Sequence, residues 1–327
     1  MPTSDLTADL ISGRVLTHDV GPELRKGRFL DGSEVDLIRA AGVAEVHVAE
    51  LEEGDVHEDV AAERLAAAVA GSGLRASSPV QSQVRLLATR RGLFRAGQEL
   101  VEALNALPAV AVFTLTDGQA VEGGEEVAGC KVTPVAVAES VVAAAEGIAS
   151  EAARRFEVLP FRPLRTAVVV TERLRQRSRQ LFIAAVIRKL GWYGADLQDV
   201  REVARSPAAV RAAYEQAAAT GAELILFAGA SSIDPLDAAY SELVAAGGEV
   251  LRQGIPAHPG SMLWLGRLGS ATVLGVASCA GFGKNTALDL ILPLVFANGS
   301  VRASDFGRMG YGGLIETSAG RRFPPYS

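Results

Sequence analysis

A mixed α/β fold is predicted, with a doubly wound, mostly parallel sheet in the C-terminal part and smaller α+β modules before it. Three observations predict it. From Arg165 onward, short apolar runs alternate with helical stretches, the pattern of a parallel sheet covered by helices. The run Leu224-Ile-Leu-Phe227 is apolar at every position, as a strand buried on both faces must be. It stops at Ala228-Gly-Ala-Ser-Ser232, passes Asp234 and Asp237, and gives way to a helical pattern from Leu236 through Leu243. That is a buried strand, a tight loop and a helix start, the place where open α/β sheets hold ligands.

The N-terminal part is read in order. Residues 10–20 form a strand that runs into a loop, followed by the basic turn Leu24-Arg-Lys-Gly27. Asp31 to Ala41 is a helix capped by Asp31 or Ser33 and ended by Gly42, and Val43 to Leu51 is a strand. Val60 to Val69 is an alanine-rich helix. Beyond the polar segment Ser77 to Pro79, Val84–Ala88 and Ala109–Leu115 are strands with the helix Gly97–Ala106 between them. Val127 to Val137 is an extended run, and Ser140 to Phe156 is a helix. Two prolines in Leu159-Pro-Phe-Arg-Pro163 disfavour regular structure and set a boundary.

The C-terminal part follows as Thr166–Val170 (strand), Ser178–Leu190 (helix), Leu197–Val203 (strand) and Pro207–Thr220 (helix with proline in its first turn). Then come Leu224–Phe227, the Asp-rich loop and its helix, extended runs at Gly248–Leu251, Met262–Leu268 and Thr272–Val276, and a helix from Asn285 to Phe296. The expected organisation is an α/β module over 1–75, an α+β module over 76–160, the main α/β domain over 161–300 and a tail over 301–327.

Composition narrows the function. Hydrophobic residues make up 49% and charged residues 21%, so there is ample material for a core. A net charge of −6 excludes a general nucleic-acid binder, which needs a basic surplus to neutralise phosphates. The N-terminus has no charged leader with an apolar core, and no stretch approaches the roughly 18 apolar residues of a membrane span. Cys130 and Cys279 are far apart and form no CxxC pair, so neither a disulfide framework nor a zinc site is expected, and a cytoplasmic location follows. The histidines His18, His47, His57 and His258 have no metal-ligand spacing, so no protein-held metal is expected.

Several residues carry chemistry. In the loop after Phe227, Gly229 and Ala230 let a ligand approach the backbone, Ser231 and Ser232 offer hydroxyls, and Asp234 and Asp237 either cap the helix or face the crevice. Asp237 has the better position for the crevice. Of 32 basic residues only four are lysine, and Lys26, Lys131 and Lys284 sit in turn-like stretches, where a compact charge on a flexible stem suits phosphate. Thr171-Glu172 ends the first strand of the main sheet and is followed by Arg173, Arg175, Arg177 and Arg179. Cys279 is read as a small pocket-lining hydrophobe rather than a nucleophile, because no Cys-His-Asn or Ser-His-Asp order accompanies it.

Gly229-Ala-Ser-Ser-Ile-Asp-Pro-Leu-Asp237, Ala246-Gly-Gly-Glu-Val250, Pro256-Ala-His-Pro-Gly260, Gly266-Arg-Leu-Gly269 and Val273-Leu-Gly275 occur in that order over roughly residues 165–297. Together they resemble the molybdopterin-binding domain shared by molybdopterin molybdotransferases, adenylyltransferases and gephyrin. His258-Pro-Gly-Ser261, Ser278-Cys-Ala-Gly-Phe-Gly-Lys-Asn285 and Met309-Gly-Tyr-Gly-Gly-Leu314 are similar to a subgroup of molybdopterin-binding proteins, some fused to a cytidylyltransferase domain. Thr17-His-Asp19, Leu24-Arg-Lys-Gly27, Gly54-Asp55 and Cys130-Lys-Val-Thr-Pro134 extend that likeness to nearly the whole chain.

The resemblance implies molybdopterin or molybdenum cofactor as ligand, a role in cofactor maturation or delivery, and a homo-oligomer. The implied contacts are Thr171, Glu172, Gly229, Ala230, Ser231, Ser232, Asp234, Asp237, His258, Pro259, Gly260, Ser261, Cys279, Lys284 and Asn285, with Lys26 and Lys131 as further phosphate contacts. Two lysines expected near His258 and Ser261 in the molybdotransferase pattern are missing, and Gly281 replaces the subgroup's arginine. Two other readings stay open. One is a transferase in which Asp234 and Asp237 hold magnesium for a nucleotide. The other is a non-catalytic module that senses or carries the cofactor for a molybdoenzyme.

Overall fold

The computed structural model describes residues 1–171, 175–230, 233–276, 285–315 and 324. They divide into two compact units, one of residues 1–90, 94–117 and 122–158, the other of residues 91–93, 118–121 and 159–327. The second unit carries the loop around Asp237, and its elements are numbered within it.

Its main sheet has six strands: β1 (Arg165–Val170), β2 (Asp196–Glu202), β3 (Leu224–Ala228), β4 (Glu249–Gln253), β5 (Trp264–Leu268) and β6 (Ala271–Val276). Their order is β2-β1-β3-β6-β5-β4. The first four are mutually parallel, with Val170 opposite Ala228 and Ala228 opposite Val276, so the strands end nearly level. β5 joins β6 antiparallel through the tight turn at 269–270, and β4 pairs antiparallel with β5 at the edge.

Alternation of side chains sorts the strands into two cores. Val168, Val170, Leu224, Leu226, Leu274 and Val276 face one side and pack with α1 (Gln176–Trp192) and α4 (Ala287–Asn298). Ala167, Val169, Ile225, Phe227 and Val273 face the other and pack with α2 (Pro207–Ala219) and α3 (Ala238–Ala245). This explains why β1, β3 and β6 are apolar at nearly every position: neither face meets water. α4 is apolar around most of its circumference for the same reason, and almost all of its residues are buried.

α4 starts on a capping box. Thr286 accepts from Leu288 N–H, and the Asp289 carboxylate accepts from Thr286 N–H at 2.7 Å. It ends at Gly299, which is left-handed at φ 79°. Lys189 on α1 donates to both oxygens of Asp289, at 2.8 and 2.7 Å, and both side chains are buried.

In the other unit, the antiparallel strands Leu74–Ala76, Gln83–Ala88, Glu126–Val132 and Val110–Thr114 form a sheet in that order. The helix Glu58–Val69 packs on it, and Glu139–Glu151 packs on that helix. Arg64 joins the two helices by bonding both Glu139 and Glu146.

Several elements differ from the sequence-based expectation. The helix expected over Ser140–Phe156 ends at Glu151, because Phe156 bridges to Ala70 and bonds Gly71 N–H through its carbonyl. The strand expected over residues 10–20 shrinks to Arg14–Leu16 behind a single helical turn, Ala8–Ile11, capped by Thr7. The helix expected from Asp31 begins at Val35, since Asp31 and Ser33 bond each other and Glu34 in a turn.

Candidate functional site

The strand order reverses beside β1. The chain leaves β1 through α1 to reach β2 on one side, then leaves β2 through α2 to reach β3 on the other side. Loops that depart in opposite directions leave a crevice outside the carboxyl ends of β1 and β3. Thr171 closes β1 and is buried, with its N–H donating to Ala228 O at 2.9 Å. Gly229 and Ala230 close β3.

Three donors hold this loop. Gly229 N–H donates to Val276 O at 2.8 Å, which ties the end of β3 to the end of β6. Arg205 donates to Gly229 O at 3.1 Å. The buried Trp264 indole N–H donates to Ala230 O at 3.1 Å. Gly229 has φ 100°, a conformation that favours glycine, and so redirects the chain sharply off the strand.

The two aspartates have different roles. Asp237 is the N-cap of α3: its Oδ1 accepts from Ala239 N–H at 2.9 Å. Its Oδ2 accepts from Arg205 at 2.6 Å, so both oxygens of this buried carboxylate are engaged. Asp234 is exposed and accepts from Leu236 N–H at 2.9 Å within the turn that leads into α3. Three residues on from Asp237, Tyr240 lies beneath this turn, its ring 4.9 Å from that of Trp264. Its hydroxyl is buried and has no hydrogen-bond partner among the described residues. Burial pushes the phenol up to about 12, and the Asp237 and Asp234 carboxylates add to the effect.

A second group of expected residues gathers at the start of α4. His258, Pro259, Gly260 and Ser261 form a turn with a cis His258–Pro259 peptide. Pro259 O accepts from Ala287 N–H at 2.8 Å, and a Cβ on Gly260 would stand 2.8 Å from that nitrogen, so the turn lies directly on the helix N-terminus. Asn285 is exposed just before the Thr286 cap. The His258 backbone also pairs with the tail: its N–H donates to Gly313 O and its carbonyl accepts from Ile315 N–H.

Glu172, Arg173, Ser231, Ser232, Cys279 and Lys284 lie outside the described residues. Lys26 and Lys131 belong to the other unit. Lys26 pairs with the buried Glu58 at 3.4 Å, and Lys131 donates to Gln81 O at 3.0 Å. Cys130, in the same unit, is buried, and burial pushes its thiol up to about 12. Among the described residues no three His, Cys, Asp or Glu side chains gather as a metal site. None of the described helices is long and apolar enough to cross a membrane.

Arg205, Tyr240, Trp264 and Lys189 escape the sequence reading. Arg205 follows β2 at the carboxyl edge of the sheet, and that position was its only signal. Tyr240 stands three residues after Asp237, on the same helical face.

No family model matches the chain, and no curated protein does. Among solved structures, the molybdopterin biosynthesis Mog protein from Mycobacterium ulcerans is 17% identical, with a TM-score of 0.31, over 42% of this chain and 97% of that one. The molybdopterin biosynthesis enzyme MoaB from Thermus thermophilus is 16% identical, with a TM-score of 0.31, over 40% and 91%. The molybdopterin biosynthesis MoeA protein from Pyrococcus horikoshii is 16% identical, with a TM-score of 0.30, over 78% and 81%. Likeness at this level says nothing of what the chain binds.

Proposed function

We propose that the doubly wound unit binds molybdopterin or its molybdenum-loaded form in the crevice outside β1 and β3, and that the chain serves cofactor maturation or delivery. The observation that carries this reading is the strand-order reversal beside β1. It sets Thr171 beside Gly229–Asp237, the loop that opens the ordered series of motifs resembling molybdopterin-binding proteins.

The polar groups suit an anionic, hydrogen-bonding ligand. Arg205 uses one terminal nitrogen on Gly229 O and Asp237 and keeps further N–H donors, on a side chain that is 41% exposed. It supplies a fixed cationic donor where the turn at His258 and Ser261 lacks lysines. The exposed Asn285, just before α4, adds a second polar side chain. In this reading Lys284 meets the phosphate, and Ser231 and Ser232 line the ring.

Binding without turnover is favoured over a magnesium-dependent transferase by one observation. Asp237 is already committed to Arg205 and to the first turn of α3, and it would have to give up both to hold a cation. Equilibrium titration with molybdopterin tests the reading, comparing wild type with Lys284→Ala. Tight binding by the wild type and at least tenfold weaker binding by the variant are expected. Magnesium-dependent turnover of a nucleotide would overturn the non-catalytic reading.

A further inference from the structure

The Tyr240 hydroxyl has no assigned role and no hydrogen-bond partner among the described residues. It is out of contact with water and accepts or donates no hydrogen bond, while the rest of its residue is packed against Trp264. A shielded, unpaired hydroxyl destabilises a fold, and phenylalanine would fill the same space without that penalty. The neighbouring buried phenol shows the usual solution: Tyr214 donates to Ala239 O at 2.8 Å. An orphan in the same core, three residues from Asp237, calls for a different explanation.

We propose that Tyr240 is a recognition residue of the crevice, its hydroxyl kept unpaired to donate to an oxygen or nitrogen acceptor on the pterin ring of the bound molecule. The inference rests on the function proposed above and assigns to it a residue outside the motifs. The surroundings select a ring acceptor over a phosphate. The Asp237 charge is matched by Arg205, while the exposed Asp234 carboxylate near the phenol disfavours an anion there. Trp264, Ala230 and Ala239 belong to the same buried apolar cluster as Tyr240, so the surroundings of the phenol suit an apolar ring more than a solvated phosphate. With its proton held at neutral pH, the phenol acts as a donor there.

Contact requires a local shift, and the adjoining turn is little held by packing. Ile233 and Leu236 are 70% and 86% exposed. Asp234 supplies the turn's bonds, through Oδ1 to Leu236 N–H and through its carbonyl to Asp237 N–H.

The test is Tyr240→Phe in the full-length protein, titrated with molybdopterin and with inorganic phosphate, alongside thermal unfolding without ligand. The expected result is about tenfold weaker molybdopterin binding, the loss of one hydrogen bond. Phosphate binding should not change, and the Tm should be unchanged or higher. Unchanged molybdopterin affinity overturns the role of Tyr240 and leaves the proposed function standing. A lower Tm also overturns it, because the hydroxyl would then have a structural partner. If the wild type binds no molybdopterin, the proposed function fails and this assignment fails with it.

Discussion

Asp237 shows how one side chain can both build and shape the crevice. It caps α3 through Oδ1 and holds Arg205 through Oδ2, and Arg205 in turn holds Gly229 O. Asp237→Ala therefore removes a cap and leaves a guanidinium without its carboxylate. We predict a loss of about 2 kcal/mol in urea unfolding, the sum of a typical cap and a charge-assisted bond. A loss under about 0.5 kcal/mol would show that Arg205 and α3 find other partners. Gly275 gives a steric counterpart. A Cβ there would stand 1.7 Å from the Trp264 indole nitrogen, the atom that bonds Ala230 O. Gly275→Ala is predicted to displace Trp264, with a shift in tryptophan fluorescence and a lower Tm, whereas an unchanged spectrum would refute the close contact. Asp237 was legible from its place between loop and helix. Arg205 was not, because its partner is 32 residues away and pairing at that distance leaves no local pattern.

At the scale of elements, two of the polar ties between helices differ in exposure, and that difference sets their worth. The Lys189–Asp289 pair is buried between α1 and the first turn of α4, where losing Lys189 leaves the carboxylate its capping-box bond but removes this counter-charge. Lys189→Met is predicted to cost about 3–5 kcal/mol in chemical denaturation, with much of it recovered when Asp289 is replaced by leucine as well. Additive losses in the double variant would contradict coupling between them. The Arg64 fork is half-exposed and weaker. Its bonds lower the pKa of Glu139 and Glu146 below the ordinary 4.5, so the stability it gives is present above that pH and lost as pH falls through the depressed values. Arg64→Ala should therefore be less stable than wild type at neutral pH, with the difference shrinking as the solution is acidified below the ordinary glutamate value of 4.5. A difference independent of pH would assign the effect to packing of the Arg64 stem.

Elements with strong internal signals were legible. β1, β3 and β6 read as apolar runs, and α2 starts at Pro207 as its sequence indicates. The ends set by tertiary partners were not. The periodic stretch after Ser140 continues past Glu151, but the chain turns extended at Ala152 and Phe156 pairs with Ala70 and Gly71 instead. Likewise α3 starts at Ala238 rather than Leu236, because the Asp237 cap is fixed from outside by Arg205.

At the scale of the whole molecule, the order β2-β1-β3-β6-β5-β4 is what gives the loop after β3 its meaning. The sequence showed that strands and helices alternate and that a small-residue loop with two aspartates follows one of them. It did not show which strand lies beside which, since strand neighbours depend on long-range pairing rather than on local periodicity. With the reversal beside β1, Thr171 and Gly229 stand at adjacent strand ends and Arg205 ties Gly229 to Asp237, while His258–Ser261 and Asn285 gather separately at the start of α4. The most direct test of molybdopterin binding is equilibrium titration of the purified wild-type protein with molybdopterin, its molybdenum-loaded form, and ATP. Saturable binding of a pterin species at least tenfold tighter than ATP is predicted. Binding of ATP as tight as any pterin species, or no pterin binding, would contradict it.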